Sequence, residues 1–386
     1  MKPEIFKKSN SGKCIRTLEG YWAFIPNPLP PSVTFDEEMT LLLSKADRLM
    51  GELKGTGHTL PNPYLLITPY TQREAVSSSQ IEGTQASLND LLLLEAGGTG
   101  QNNLADIQEV QNYARALEVG VKRMGKLPIS TRFLKELHSI LMRGVRGHHT
   151  TPGELRVTQN WIGSPGCLLP DAKHVPPPVK EMAACLSDLE QYIHSDPKEP
   201  LLIQCAFIHY QFEAIHPFLD GNGRLGRLLI LFLMLERGML SQPILYLSSF
   251  FYRYRTEYYT RLFEVSQKGA WNEWIKFFLR GVCEQSQAAI TDAKHLTHLQ
   301  EEIFEKVRKQ KNVPETVTKI IEELFQNPII SVSHLSKKWK LPYNSVNHGV
   351  KRLVKMKILT EKTGGLRNKI YVCPQLLELI GGGSSG

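Results

Sequence analysis

The sequence predicts a mainly α-helical protein with one β-hairpin near its middle and a small helix-and-strand domain at its C-terminus. Three observations predict this fold. The chain has 386 residues, which is more than one hydrophobic core usually spans, so two or three domains are expected. Apolar residues recur at helical spacing along most of the chain. Glycine and proline are concentrated at 151–179, where two short extended runs, within about 157–175, flank a turn.

Residues 1–100 are predicted to be a helical region that packs on the rest of the chain. To about residue 35 the sequence is rich in proline and aromatic residues, which indicates an extended lead-in. Helical patterns follow at about 36–54 and over 71–83, TQREAVSSSQIEG. The second of these is expected to end at Gly83, because glycine is common at helix C-termini.

The remaining chain divides into a helical core at 101–295, a linker at 296–314, a basic domain at 315–376 and a disordered tail at 377–386 that ends in GGGSSG. The longest purely apolar run has eight residues and is bounded by Arg227 and Glu236. A membrane span needs about 20 apolar residues, so we expect a buried helix and no membrane partner.

Charge and cysteine content indicate the kind of partner and compartment. The net charge is +8, and residues 301–386, with 15 Lys/Arg and 8 Asp/Glu, supply +7 of it. A polyanionic partner is therefore expected at the C-terminal end. The six cysteines form no CxxC pair, and the N-terminus has no apolar stretch of the kind found in signal peptides. Both observations favour a reducing cytoplasm and argue against a zinc site.

The segment 216–227, HPFLDGNGRLGR, carries the candidate chemistry. It is predicted to be a tight loop between two apolar helices. Gly221 and Gly223 allow backbone N–H groups to approach a ligand, and the following helix directs its positive N-terminal end at the loop. Arg224 and Arg227, one helical turn apart, can each grip a phosphate.

Two further side chains complete the loop. Asp220 is an oxygen ligand that suits Mg²⁺ on a polyphosphate. His216 is the side chain here whose pKa suits a general base near neutral pH. A base, a metal ligand, an anion cradle and two phosphate clamps within twelve residues indicate in-line transfer of a phosphorus group.

This segment resembles the Fic family motif, HPFx(D/E)GNGRxxR, at every fixed position. The resemblance implies that His216 deprotonates a Ser, Thr or Tyr hydroxyl of a target protein. That oxygen attacks the α-phosphate of ATP, AMP is transferred and pyrophosphate leaves. The implied roles of the other motif residues are Mg²⁺ binding for Asp220, the anion hole for Gly221, Asn222 and Gly223, the β-phosphate contact for Arg224 and the γ-phosphate contact for Arg227.

A second segment, Ser78-Ser-Gln-Ile-Glu82-Gly83, resembles the inhibitory motif of the same family, (S/T)xxxE(G/N). The resemblance implies that Glu82 pairs with Arg227 and removes the γ-phosphate clamp. ATP would then bind only in an unproductive pose. Without the neighbouring Fic motif, the hexapeptide would simply be read as a helix end at Gly83.

Two other regions are assigned by resemblance. The predicted hairpin lies where Fic proteins carry a flap, whose free edge can pair with an extended stretch of the target. Trp161 and Ile162 would be its apolar contacts, although ordinary packing explains both equally well. Tyrosines at 252, 254, 258 and 259 lie where the family places tyrosines near adenine, and several of them are expected in the core.

The C-terminal domain is predicted to contain helices at 317–325, 333–340 and 345–357, followed by two strands joined by a turn at 364–365. It resembles a winged helix-turn-helix domain, and the exposed face of its third helix and its wing are basic. A protein-contact or dimerisation role explains the same features. The candidate DNA-binding residues are Lys351, Arg352, Lys362, Arg367 and Lys369.

Together these features predict a helical Fic core with a β-hairpin flap and a C-terminal winged helix. The predicted function is a protein adenylyltransferase that uses ATP and Mg²⁺, modifies a protein substrate and itself, and is inhibited by Glu82. The alternatives are a DNA-binding regulator whose Fic core senses nucleotide, an enzyme that removes AMP, and transfer from another nucleotide. A homodimer and the identity of the target are left open.

Overall fold

A computed structural model of the chain describes residues 1–59, 64–98, 104–145, 151–164, 166–363 and 369–381. Within these residues the protein is mainly helical, as predicted, and contains one two-stranded and one three-stranded antiparallel sheet. None of the helices in these ranges combines the length and apolarity needed to cross a membrane.

The N-terminal segment forms a β-hairpin. Strand β1 (Gly12–Arg16) pairs antiparallel with β2 (Trp22–Pro26), with Cys14 opposite Phe24. The extended conformation was predicted, but the pairing was not. The Phe24 ring is fully buried 5.5 Å from the ring of Phe6, in an apolar cluster that the hairpin shares with Ala172 and Val175.

Eleven of the described helices form the body of the molecule around two central helices. The central pair, α7 and α8, is apolar on nearly all sides, and such helices are buried by their neighbours. The eleven are α1 (Glu37–Thr59), α2 (Tyr64–Ile81), α3 (Leu88–Glu95), α4 (Leu104–Arg123), α5 (Thr131–Leu141), α6 (Val179–His194), α7 (Leu201–Ile215), α8 (Asn222–Glu236), α9 (Ser248–Arg253), α10 (Arg255–Lys268) and α11 (Trp271–Arg308).

The predicted flap hairpin is reduced to a single bridge. Ile162 and His174 pair antiparallel, with hydrogen bonds from Ile162 N to His174 O of 2.8 Å and from His174 N to Ile162 O of 3.0 Å. Regular strands do not extend from this bridge among the described residues. A 3₁₀ turn at Leu169–Asp171 interrupts one arm. Prolines at 176–178 remove the donors that a longer ladder would need.

The predicted linker at 296–314 is wrong over most of its length. Helix α11 continues to Arg308, so only 309–314 separate it from the next helix. No glycine or proline interrupts 296–308, and apolar side chains at helical spacing keep this stretch buried. These side chains are Leu296, Leu299, Ile303 and Val307.

The C-terminal module, residues 315–381, contains the three predicted helices and three strands in the sheet order β3-β5-β4. Strand β3 was not predicted. The predicted turn at 364–365 lies outside the described residues. The elements are α12 (Glu315–Gln326), β3 (Ile329–Ser331), α13 (Val332–Trp339), α14 (Tyr343–Lys355), β4 (Thr360–Glu361), β5 (Ile370–Val372) and α15 (Pro374–Ile380).

The tail predicted to be disordered from 377 is helical to Ile380. This residue and Leu376 are buried, because α15 packs on α11 and α2. Two apolar residues one turn apart are enough to hold a short helix against a surface of this kind. The residues from 382 lie outside the described ranges.

The C-terminal module packs directly on α2 and α3, which a domain tethered by a linker would not do. Asn327 Nδ2 donates to Leu92 O (3.2 Å) and Ser331 Oγ donates to Ala96 O (2.7 Å), and both bonds are buried. Side chains from α3, β3 and β5 share one apolar cluster. The module therefore forms a continuous interface with the N-terminal region.

Candidate nucleotide-binding site

The loop between α7 and α8 is held by two residues with positive φ. Helix α7 ends at His216, whose φ of 50° lies in the left-handed region. Helix α8 begins after Gly221, with φ of 77°. A side chain other than glycine is strained in this region, and strain of this kind is concentrated at functional sites. The geometry turns the chain sharply and presents the N-terminus of α8 to the loop.

Three side chains, from two segments of the chain, brace this loop. The buried Asn222 accepts from Phe218 N (2.9 Å) and donates to Phe218 O (2.8 Å). Asn160 Nδ2 donates to Phe218 O (2.8 Å), and Arg156 Nε donates to His216 O (2.9 Å). The amide of Asn222, predicted to line the anion hole, is therefore engaged within the loop. Its backbone N–H is the group that remains for a ligand.

A further histidine supports the loop from α5. His138 Nδ1 accepts from Gly153 N (2.9 Å), so Nε2 carries the proton and donates to Asp220 O (3.0 Å). Its ring stacks on Phe218 at 3.9 Å. Sequence reasoning missed His138, Arg156 and Asn160, because none of them lies near the motif in the chain.

The imidazole of His216 is oriented by its own helix. His216 Nδ1 lies 3.2 Å from Glu213 O, which can only accept, so Nδ1 carries the proton and Nε2 is the basic nitrogen. Burial lowers the pKa of His216 to about 4. The ring is therefore neutral at physiological pH and able to accept a proton.

Arg227 is held by the segment predicted to be inhibitory. Its Nη2 donates to Glu82 Oε1 (2.7 Å) and to Ser78 O (2.9 Å), and its Nε donates to Ser78 Oγ (2.8 Å). Burial raises the pKa of Glu82, but the charge and hydrogen bond of Arg227 outweigh this and leave the pKa below its usual value. Gly83 has φ of 103° and ends the turn after α2.

Arg224 is also engaged by a carboxylate. Its Nη1 donates to Glu109 Oε2 (3.2 Å) on α4, and its side chain is 3% exposed. The same oxygen accepts from Thr84 Oγ1 (3.0 Å), just after the inhibitory segment. Both motif arginines are thus paired within the chain. Glu109 was missed because no spacing in the sequence links α4 to the motif.

Asp220 lies at the open edge of the loop, with its side chain 54% exposed. Its Oδ1 accepts from Gly221 N (2.5 Å). No cluster of three or more His, Cys, Asp or Glu residues suited to a metal occurs in the ranges that the structure describes. A single exposed carboxylate fits Mg²⁺, which takes most of its ligands from water and phosphate.

A cavity of about 600 Å³ lies beside the loop, and both His216 and Arg227 line it. Trp161 and Ile162, the predicted flap contacts, form part of its wall and are 40% and 38% exposed. The single His174–Ile162 bridge therefore places these two side chains at the site despite the missing hairpin.

The four tyrosines after the motif separate into two pairs. Tyr258 and Tyr259 line the cavity, whereas Tyr252 and Tyr254 are exposed elsewhere. His209 Nδ1 lies 3.2 Å from Gly226 O and must donate to it, so Nε2 accepts from the Tyr258 hydroxyl (2.8 Å). Burial lowers the pKa of His209 to about 3, which keeps this ring neutral.

Comparison with protein families identifies this architecture. Residues 40–122 match the Fic/DOC family N-terminal domain, and residues 128–234 match the Fic/DOC family domain that contains the loop. The chain belongs to the Fic/DOC family. The Fic domain extends from α5 through the bridge to α8, and the N-terminal domain contains α2 with Ser78 and Glu82.

Curated relatives match this Fic protein over a limited region. The protein adenylyltransferase Fic of Drosophila grimshawi is 35% identical over 117 residues, which are 29% of this chain and 22% of that protein. The protein of the same name from Drosophila persimilis is 34% identical over 117 residues and 20% of its length. The chain thus spans about a fifth of the length of these relatives.

Solved structures share the fold. A Fic family protein from Desulfovibrio desulfuricans superposes with a TM-score of 0.59 at 18% identity, over 89% of this chain and 98% of the other. Fic-1 from C. elegans gives a TM-score of 0.50 at 22% identity, over 68% of this chain and 73% of the other. At these identities the likeness concerns the fold alone.

The basic face of this Fic protein is smaller than predicted. Lys351 and Lys362 are exposed. Arg352 instead donates to Asn312 O (2.7 Å) and Lys311 O (3.1 Å), which fastens the segment before α12 to α14. Lys369 pairs with Glu361 at 2.9 Å. The fifth predicted residue, Arg367, lies outside the described residues.

Proposed function

We propose that this chain is a protein adenylyltransferase that moves AMP from ATP to a hydroxyl group of a protein, including its own chain. One observation carries the proposal: His216 is held with Nε2 as its basic nitrogen in a cavity that also contains Arg227. The names of the Drosophila relatives support the same reaction.

In the proposed step, His216 Nε2 accepts the proton of a Ser, Thr or Tyr hydroxyl. The hydroxyl oxygen forms a bond to the α-phosphorus of ATP. The bond from that phosphorus to the bridging oxygen of the β-phosphate breaks, and pyrophosphate leaves with the electron pair. A positioned base of this kind contributes about 10²- to 10⁴-fold to the rate.

The N-terminus of α8 would receive the phosphates. Helix α8 begins at Asn222, and the backbone N–H groups of its first turn and its dipole favour an anion there. Arg224 would contact the β-phosphate and Arg227 the γ-phosphate, once each is released from its carboxylate. Asp220 would hold Mg²⁺, which when bound neutralises phosphate charge.

The Glu82–Arg227 pair supports regulation of this activity. An ion pair at 2.7 Å occupies the guanidinium that the γ-phosphate needs, and the carboxylate repels a triphosphate. Glu82 would therefore hold the enzyme in a weakly active state until it is displaced. Trp161 and Ile162, on the open side of the cavity, would contact the target segment.

Two forms of labelled ATP, one labelled at the α-phosphate and one at the γ-phosphate, test the proposed reaction. In a Glu82→Gly background, ATP labelled at the α-phosphate should label the protein and ATP labelled at the γ-phosphate should not. Adding His216→Ala should abolish labelling while ATP still binds, because the proposed role of His216 is to accept a proton and it contacts no phosphate. Labelling by the γ-labelled form alone would indicate phosphoryl transfer and refute AMP transfer.

A second candidate function is duplex binding by the C-terminal module. The exposed Lys351 of α14 and the exposed Lys362 just after β4 support it, because phosphate contacts of this kind dominate affinity for DNA. Lys351 and Lys362 do not line the cavity, so this function is compatible with catalysis there. Its test is the salt dependence of duplex affinity, described in the Discussion.

A further inference from the structure

Glu213 is an acidic side chain of the cavity to which the sequence analysis assigned no role. It lies in the last turn of α7, three residues before His216, and lines the cavity together with Arg227. Its Oε1 is buried and has no hydrogen-bond partner among the residues that the structure describes. Leaving a buried polar atom unpaired costs about 1–3 kcal/mol, so such an atom in a cavity points to a ligand.

The carboxyl group of Glu213 is accommodated by a glycine of α8. A methyl group at Gly226 would collide with Glu213 Oε1, just as one at Gly223 would collide with Glu82 Oε1. The carboxyl groups of Glu82 and Glu213 therefore both lie against α8, each over a glycine in the turn before Arg227. Of these two carboxyl groups, Glu82 is the one that forms a hydrogen bond with the guanidinium of Arg227.

Burial raises the pKa of Glu213 to about 8; Arg227 lowers this pKa and Glu82 raises it. Glu213 is therefore mostly neutral at pH 7, and a neutral carboxyl carries one O–H donor. The other charged or titratable groups that line the cavity are Glu82 just after α2, Lys173 and His174 of the bridge segment, Tyr210 of α7, His216, Arg227 of α8, and Arg255, Tyr258 and Tyr259 of α10.

We propose that Glu213 is a nucleotide-positioning residue: its neutral carboxyl donates a hydrogen bond to the phosphate end of the nucleotide that displaces Glu82 from Arg227. Phosphate oxygens only accept, so they match an O–H donor beside a guanidinium. The ionised carboxyl would instead repel phosphate and compete with it for Arg227. The inference rests on the proposed function, because it requires a nucleotide in this cavity.

The test measures equilibrium binding of Mg²⁺-ATP to the full chain by calorimetry at pH 6 and pH 9. Three proteins are compared: Glu82→Gly alone, and the same background with Glu213→Gln or Glu213→Ala. At pH 6 the alanine variant should bind about 3- to 10-fold more weakly, because one hydrogen bond is lost. The glutamine variant should stay within about threefold, because its amide N–H also donates.

The pH response separates a phosphate contact from a merely structural role. From pH 6 to pH 9 the Glu82→Gly protein should lose at least about tenfold in affinity, because Glu213 ionises. Removing Glu82 takes away a charge that raises the pKa of Glu213, so the loss should begin below pH 8. The Glu213→Gln protein, which shares every other group, should lose less than about threefold.

Two results would overturn the inference: a glutamine variant as weak as the alanine variant at pH 6, or the same pH response with and without Glu213. Because binding is measured without transfer, the two proposals fail in different ways. If ATP binds in the expected pattern but no variant labels protein, the proposed function fails and the role of Glu213 stands. If the Glu82→Gly protein binds no ATP, both fail.

Discussion

Replacing Glu82 with glycine should release Arg227 and raise the rate of self-labelling. The hydrogen bond between Glu82 and Arg227 is charge-assisted, at 2.7 Å, and the arginine side chain is 2% exposed. Such a bond contributes about 1.5–3 kcal/mol. Because the Glu82 side chain is 34% exposed, solvent screening favours the lower half of this range, about 1.5–2 kcal/mol.

A tenfold change in an equilibrium corresponds to about 1.4 kcal/mol, so the population with a free Arg227 should rise roughly 10- to 30-fold. The assay is the initial rate of self-labelling by α-labelled ATP with Mg²⁺, at ATP concentrations well below saturation. Glu82→Gln is the matched control. It keeps a neutral hydrogen bond to Arg227 and should label at an intermediate rate.

An Arg227→Ala background gives the decisive control. Without the guanidinium, removing Glu82 should raise the rate less than it does in the parent protein, because only the repulsion between its carboxylate and the triphosphate is relieved. If Glu82→Gly raises labelling equally in both backgrounds, its effect does not pass through Arg227. Equal labelling by the parent protein and Glu82→Gly would refute inhibition altogether.

Three further predictions concern the loop, the basic face and the module interface. Asn222→Ala should lower the free energy of unfolding by about 1–3 kcal/mol in urea denaturation, because it leaves the buried backbone N–H of Phe218 unpaired. An unchanged midpoint would show that the loop does not need this brace. Lys351→Ala should reduce the slope of log duplex affinity against log salt concentration by about one unit. Arg352→Ala should leave this slope unchanged, because Arg352 already binds two carbonyl groups. No duplex binding at about 50 mM salt would favour a protein-contact role. Asn327→Ala should cost about 1–3 kcal/mol of stability, because it breaks bonds to Leu92 O and Ile329 N, and full stability in the variant would mean that water replaces them.

The sequence predicted the loop residues and the partner of Arg227 because the motif specifies both. A motif of twelve residues, made of the loop and the first turns of α8, brings its own chemistry together at fixed spacing, without long-range folding. The pairing of Glu82 with Arg227 spans 145 residues and was predicted through the family resemblance, and the structure contains it at 2.7 Å. Most helices were predicted because apolar residues recur at their period.

The groups that the sequence did not reveal depend on tertiary contacts. His138 and Asn160 brace the loop from other parts of the chain, and Glu109 reaches Arg224 from α4. Nothing in the local sequence of these residues differs from that of ordinary surface positions. The flap was predicted as a hairpin from its turn residues, but the prolines that follow limit it to one bridge.

The placement of α2 links the two ends of the molecule thermodynamically. Its first half lies beside the C-terminal module, where Thr68 and Gln72 share a cleft with Asn327, and its far end leads to Glu82. About ten residues, or about 15 Å of helix, separate these contacts. Any partner of the module that shifts α2 would change the affinity for nucleotide. By the reciprocity of linked equilibria, nucleotide would then change the affinity for that partner by the same factor.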